Sequence, residues 1–260
     1  MTSVGVVFRP QLPPEALRGV VEAAEVAGVD ELWLWEDCFL EGGLTTSAAA
    51  LAWSDRLQVG IGLLPVPLRN PAVTAMEIAS LARMFPGRFW PGLGHGVQSW
   101  MGQVGGRADS PLTLLREHVA AVRSLLAGDT VTVHGRYVRL DAVTLDWPPD
   151  VVPPVLVGAR GPRTVVASGE VGDGTILDAS ATVGDIGHVR AAVDAARVGV
   201  GRPGRHRLVV FQEVPSAEQT PATVAEIVGR CAATGADAVA LQGPEDDPDP
   251  ARLVAALGRR

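Results

Sequence analysis

The chain contains no lysine: all 22 basic residues among its 260 are arginine. That absence removes Schiff-base aldolases, pyridoxal phosphate enzymes and lysine-dependent phosphate loops, each of which needs a lysine amine. Cysteine is scarce as well. Cys38 and Cys231 are the only two and form no CxxC pair, so neither a disulfide framework nor a structural zinc site is expected, and a reducing cytoplasm fits. There is no basic run and the net charge is −7, which argues against nucleic acid and anionic membranes as partners. The five histidines include no HxH and no HExxH, so no catalytic metal is expected even though His95 could join Glu36, Asp37 and Cys38 as ligands. No stretch approaches the roughly eighteen apolar residues of a membrane span. Residues 1–8 also lack the basic start and long apolar core of a secretory signal.

With 47% hydrophobic and 20% charged residues, the chain can bury one large core, and a single domain over residues 1–260 is expected. Short β-branched runs alternate with amphipathic stretches throughout. Strands are expected at 4–8, 32–35, 57–64, 89–93, 155–157, 175–177, 208–211 and 238–241, and helices at 13–27, 71–84, 112–126, 164–168, 186–198, 222–233 and 251–257. Residues 131–140, alternating around Gly135, read as a hairpin. Eight strand candidates in this length point to an α/β fold of the (β/α)8 type, a TIM barrel, with an insertion between strands 4 and 5. The continuous apolar character of the strands suits burial on both faces of a parallel sheet. An open doubly wound sheet is the alternative, because periodicity does not show closure.

One stretch stands out: Gly92, Gly94 and Gly96 alternate around a lone His95 at the end of the fourth strand. The glycines remove side chains that would keep a ligand off the backbone. A dinucleotide fingerprint is rejected because the spacing is G-x-G-x-G, and the chain continues as loop through Trp100, Gly102, Gly105 and Gly106 before any helical pattern. Barrel catalysis occurs at carboxyl strand ends. The candidates there are Arg9, Gln11, Glu36, Asp37, Cys38, Gly62, Leu63, His95, Gln98, Asp178, Gln212, Glu213 and Gln242, with the segment Gly158, Ala159, Arg160, Gly161, Pro162 and Arg163. In that segment Pro162 suits a first helical turn, whose free N–H groups and dipole make an anion site. The other reading is an ordinary loop with exposed arginines. Of Glu36, Asp37 and Cys38 only some can face a pocket, since neighbours on a strand point to opposite faces. For His95 the rival is a histidine merely packed in a loop. Trp35, Trp90, Trp100 and Met101 read either as lining of an apolar pocket or as core.

As a set, residues 32–37, 60–65 leading to Arg69, Asn70 and Pro71, then 87–89 with 92–96, 158–162 and 171–174 resemble the bacterial luciferase-like superfamily of flavin- and deazaflavin-dependent oxidoreductases. The resemblance implies a (β/α)8 barrel carrying coenzyme F420, or alternatively FMN, across its mouth. It implies hydride transfer between the deazaflavin and a small organic substrate. The alternatives are an FMN-dependent monooxygenase served by a separate flavin reductase, and a non-catalytic flavin-binding barrel. It further implies a non-proline cis peptide at Gly62–Leu63, cofactor contacts from Asp37, Gly62, Leu63, Gly94, His95, Gly96 and residues 158–163, and a homodimer. Deazaflavin-dependent members commonly carry Asp-His-Phe after the second strand. This chain has Asp37-Cys38-Phe39 there, so Asp37, Cys38 and His95 are the catalytic candidates. A thiol near its ordinary pKa of about 8.5 is a poor stand-in for imidazole.

Overall fold

The computed structural model describes residues 2–202 and 204–258. In chain order the elements are β1 (Ser3–Phe8), α1 (Leu17–Ala27), β2 (Glu31–Leu34), α2 (Gly43–Ala52), β3 (Gln58–Pro65), α3 (Pro71–Met84), β4 (Phe89–Gly94), α4 (Gln98–Gln103) and α5 (Pro111–Leu126). A hairpin follows, β5 (Val131–His134) and β6 (Arg139–Val143). Then come β7 (Leu156–Gly158), α6 (Pro162–Val171), β8 (Gly174–Leu177), α7 (Val183–Gly199), β9 (Arg207–Glu213), α8 (Pro221–Ala233), β10 (Ala238–Gln242) and α9 (Ala251–Leu257). Eight parallel strands close in the order β1-β10-β9-β8-β7-β4-β3-β2. Closure is made by β1, whose Ser3 pairs with Ala238 on one side and whose Phe8 pairs with Leu34 on the other. The expected insertion holds α4, α5 and the antiparallel β5–β6 pair.

Local signals explain where the helices start and stop. Asn70 caps α3 by accepting from the Ala72 N–H (2.9 Å), with Pro71 at the first position. Thr182 and Asp185 form a reciprocal capping box on α7. Gly28 ends α1 in the left-handed conformation that glycine adopts without penalty. Two helices depart from the sequence expectation. α2 was not expected because its buried positions, including Gly43, Leu44, Thr46, Ser47, Ala50 and Leu51, are small and surround the helix instead of forming one stripe. α4 lies where continuing loop was expected; it is a six-residue turn anchored by the buried Met101. α1 also begins at Leu17, after a 3₁₀ turn at Pro14–Ala16.

Strand alternation builds two cores. Val6, Leu32, Leu34, Ile61 and Leu208 face the surrounding helices, whereas Val7, Trp33, Leu156, Ile176, Val209 and Phe211 fill the lumen. Trp33 is fully buried and meets Phe211 edge-on, with centroids 5.5 Å apart. Facing it, Gly60 has no room for a Cβ, which would run into the Trp33 ring. The amino end of the lumen is sealed by Glu31, a buried carboxylate that accepts from Ser3 Oγ (2.6 Å) and Trp33 Nε1 (2.9 Å) and pairs with Arg207. The Arg207 guanidinium lies 4.1 Å over the Trp90 ring. Trp90 is therefore part of the seal at the amino end, remote from the site it was a candidate to line. Its position early in β4, whose carboxyl end is Gly94, is the reason.

Two tests follow from this packing. Gly60→Ala should destabilise by ~1–3 kcal/mol, read as a lower urea midpoint, because the added methyl overpacks a rigid ring. Unchanged stability would show that Trp33 can yield. His118 and His206 are buried, and burial pushes their imidazoles down to about 4 and about 3, with nearby arginine charge adding to it. Both are neutral in the fold but protonated in the unfolded chain below about pH 6.5. Stability is thus complete above about pH 6.5 and lost as pH falls toward 4, by the order of 3 kcal/mol for His118. Its two ring nitrogens have no hydrogen-bond partner among the described residues, so His118→Leu should remove that part of the acid loss in denaturation measured from pH 7 to 4.

Candidate active site

At the carboxyl end the alternation that puts Val7, Trp33, Phe211 and Ala240 in the lumen brings Arg9, Trp35, Glu213 and Gln242 inward next. Arg9 is 6% exposed and donates to the Gly243 carbonyl (2.8 Å) and to Glu213 Oε2 (3.2 Å), which also accepts from Gln242 Nε2 (3.2 Å). Its guanidinium lies 5.2 Å over the Trp35 ring, and Trp35 stacks on Phe211 at 5.9 Å. Sequence inspection placed these four at strand ends. It did not bring them together as one wall, because they come from strands far apart in the chain.

The three residues after β2 separate as the geometry of neighbours requires. Glu36 turns away from the lumen, accepts from the Gly43 N–H at the start of α2 (2.9 Å) and takes a bidentate pair from Arg69 (2.7 and 2.9 Å). Its role is to tie two loops together. Burial raises the Asp37 carboxyl, with Arg9 opposing and Glu245 reinforcing the shift. Burial also raises the Cys38 thiol, helped by the charges of Glu36 and Asp37, so the thiol holds its proton more tightly than an ordinary cysteine. The Cys38–Phe39 peptide is cis, which nothing in the sequence indicated, and the Gly62–Leu63 peptide is cis as the resemblance implied.

Sequence reading missed Glu41. Both of its carboxyl oxygens are buried without a partner among the described residues, and desolvation raises it to about 7. The available signal was one acid between the apolar pair Phe39-Leu40 and the glycines Gly42-Gly43.

The opposite side of the mouth is built on glycine. Register shifts between β3 and β4 around Ile61 and Leu64, and Leu63 projects over β4 and β7. A Cβ on Gly94 or on Gly158 would collide with the Leu63 side chain. These glycines admit Leu63, whereas the bare spacing had suggested room for ligand against the backbone. Beyond them His95 Nε2 lies 3.2 Å from Thr164 Oγ1 in the first turn of α6. The glycine loop and that helix start are thereby joined. Burial lowers the His95 imidazole, which keeps it neutral at pH 7.

The segment 158–163 does not act as one loop. Ala159 is buried, Pro162 already opens α6, and Arg160 turns to Asp178 (2.7 Å), itself held by Ser180. Although partial burial works against it, the Asp178 carboxyl is held below its usual range by Arg160 and Ser180. Nothing lies within 4 Å of a Cβ built on Gly161, and Arg163 makes no ion pair among the described residues. Leu112, Arg116, Pro162, Arg163 and Val166 line a cavity of about 520 Å³ there. Met101 belongs to the core. Among the described residues no group of His, Cys, Asp and Glu could hold a metal.

The mouth fits a large planar cofactor with an anionic tail. Leu63, Trp35 and Phe211 offer an apolar floor, the start of α6 with Arg163 offers anion contacts, and buried polar atoms of Trp35 and Gln242 (Nε1 and Oε1) have no partner among the described residues.

A closed eight-stranded barrel with its polar groups gathered at the carboxyl strand ends defines a (β/α)8 protein of the enzyme type. Within that class the chain belongs to the luciferase-like monooxygenase family, whose profile matches residues 3–257. It is 31% identical over 176 residues to a 5,10-methylenetetrahydromethanopterin reductase of Methanolobus tindarius, covering 68% of this chain and 54% of that protein. It is 32% identical over 183 residues to an F420-dependent glucose-6-phosphate dehydrogenase of Mycobacterium avium (strain 104), covering 64% and 54%. The chain thus spans about half the length of these relatives. Its fold matches an F420-dependent secondary alcohol dehydrogenase solved with an F420–acetone adduct, with a TM-score of 0.87 at 18% identity over 98% of this chain and 97% of that one.

Glu41 gives this site a direct test. Its carboxyl should be protonated at pH 5.5 and ionised at pH 8.5, so a protonated-carboxyl infrared band should disappear between those values and be absent from Glu41→Gln. The same variant should lose the stability decline expected as pH rises through about 7. A band unchanged by the substitution would remove Glu41 from the titrating groups.

Proposed function

We propose that the chain is an oxidoreductase using coenzyme F420 to reduce or oxidise a small organic substrate at the barrel mouth. The observation that carries this reading is the His95–Thr164 contact (3.2 Å), which joins the glycine loop of β4 to the start of α6 beside Leu63. It creates one corner suited to an anion next to one apolar floor. The relatives that use F420 support the choice of deazaflavin.

In this reading His95 and Gly96 with Gly161, Pro162 and Arg163 hold the cofactor's anionic part, while Gly94 and Gly158 seat Leu63 and Arg160 stays with Asp178. Gly62 and Leu63 support its ring, and Asp37 contacts it from the other side. When bound, the cofactor supplies the two-electron redox chemistry. The chain's own groups orient, exclude water and manage protons. Neutral His95 donates or accepts one hydrogen bond without adding charge, and Cys38 retains its proton and contributes little as an acid. The polar pairings of Arg9, Glu213 and Gln242 keep the wall rigid.

We further propose one domain over residues 1–260, since β1 and β10 pair across nearly the whole chain. Work in the cytoplasm as a homodimer completes the reading, and both cysteines being free supports a reducing setting.

Fluorescence titration decides the cofactor. F420 should bind below roughly 100 μM, a conventional ceiling for a resident ligand set by affinity arithmetic, and more tightly than FMN. His95→Ala should weaken it about tenfold, the loss of one good hydrogen bond. Binding of FMN alone would turn the assignment to a monooxygenase supplied by a separate flavin reductase, and binding of neither would leave a barrel without turnover.

A further inference from the structure

A cavity of about 500 Å³ lies at the amino end of the barrel, on the face opposite the mouth. Part of its lining is apolar: Trp90 from β4, with Val152, Pro153 and Pro154 from the segment that leads into β7. The remainder is charged. Arg123 comes from α5, Arg205 and Arg207 from the start of β9, and Asp173 and Asp237 from just before β8 and β10.

The two aspartates are occupied, and the arginines are only partly so. Both Asp173 oxygens accept, from Arg123 Nε and Nη2, from Arg202 and from the Val155 N–H. Both Asp237 oxygens accept as well, from Arg190, Arg205 and the Leu208 N–H. By contrast, Arg205 donates through Nε alone, and Arg207 through Nη2 alone, to Ser3 and Glu31. Nη1 of each therefore has no acceptor among the described residues, and Arg207 Nε is buried and equally without one. Positive charge is also in slight excess. Glu31, Asp173, Asp194 and Asp237 are four carboxylates, and they pair with the five guanidinium groups of Arg123, Arg190, Arg202, Arg205 and Arg207. His206 registers that field: burial lowers its imidazole first, and Arg197, Arg190 and Arg202 lower it further against Asp173 alone.

We propose that this cavity is a ligand site separate from the mouth, and that it takes a small organic carboxylate with an apolar body. The carboxylate accepts from the spare N–H groups of Arg205 and Arg207, and the body covers Trp90 and the two prolines. A cavity of this size falls within the range of about 300–1,000 Å³ usual for small-molecule sites. Guanidinium matches a planar carboxylate, which can take two parallel N–H groups at once. A bare inorganic anion would leave the apolar lining wet, and an uncharged ring would leave the spare donors unanswered. An occupant would touch β4 and β9 and the segments entering β7, β8 and β10, so binding would tie the amino ends of these strands together and stabilise the fold by mass action. The inference does not rest on any cofactor at the mouth.

Saturation-transfer NMR on the full chain tests it, with benzoate as the probe and benzamide as its uncharged counterpart. Saturable benzoate binding is expected below roughly 1 mM, the weak end of specific association. Benzamide should bind about tenfold more weakly, the difference between a charged and a neutral acceptor. Arg205→Gln alters a mostly exposed side chain whose partner Asp237 keeps Arg190. It should weaken benzoate about fivefold, as expected for one solvent-screened charge contact. Val152→Glu, at a half-exposed position on the lining, should abolish saturable binding by setting one carboxylate against another. Both variants should keep the parent's urea midpoint, and F420 should not displace benzoate. No saturable benzoate binding, equal binding of benzamide, displacement by F420, or undiminished binding by either variant each overturns the assignment and leaves these arginines as a seal alone.

Discussion

The interior of this barrel depends on a small number of large rings packed against positions that carry no side chain. Trp33 occupies the space a Cβ on Gly60 would need, and Phe211 stands 2.7 Å from where one on Gly62 would lie. A lumen filled this way is rigid, since neither partner can shift without opening a void or a clash. The same device continues to the mouth, where Leu63 rests over Gly94 and Gly158. Core and site are therefore one continuous packing problem, and the shape of the mouth is inherited from the arrangement of rings below it.

Charge around the mouth is mostly paired. Arg160 answers Asp178 and Arg116 answers Glu170 near α6, Arg9 answers Glu213 opposite, and Asp37 and Glu41 are partly stripped of water. A chain without lysine has only guanidinium to work with, and much of it here is paired with carboxylates, in a fork at Arg69–Glu36 and at Arg123–Asp173. At the far end the Glu31–Arg207–Trp90 seal uses the same chemistry to close the lumen.

Alternating β-branched runs and amphipathic stretches made the eight barrel strands legible in the sequence, and α3 was expected from Pro71, whereas α7 begins at Val183, three residues before the expected 186, because its Thr182–Asp185 cap was not read. α2 was not legible because small residues buried around a helix leave no apolar stripe, and α4 because one turn is too short to carry a period. The site was legible in its members more than in its grouping. His95 and the 158–163 segment stand out by composition, yet only the folded chain brings His95 to Thr164 and parts Arg160 from Arg163. Glu36 and Asp37 are chemically alike and adjacent. Their separation into a loop tie and a mouth carboxyl follows from strand geometry that the residue types do not reveal. Glu41 escaped notice because its unusual state comes from burial by residues remote in the chain, and no local pattern encodes that.

The seam of the barrel also bears on how the protein is made. β1 takes one neighbour from β2, which follows it almost at once, and the other from β10, near the end of the chain. At translation speeds of ~5–20 residues per second, the outer edge of β1 waits some tens of seconds for its partner to leave the ribosome. Throughout that interval the nascent protein carries an unpaired strand edge of high β propensity, the kind of surface that recruits other chains. Holding that edge safe is a task for chaperones or for transient cover by α1, and the finished barrel bears no trace of it.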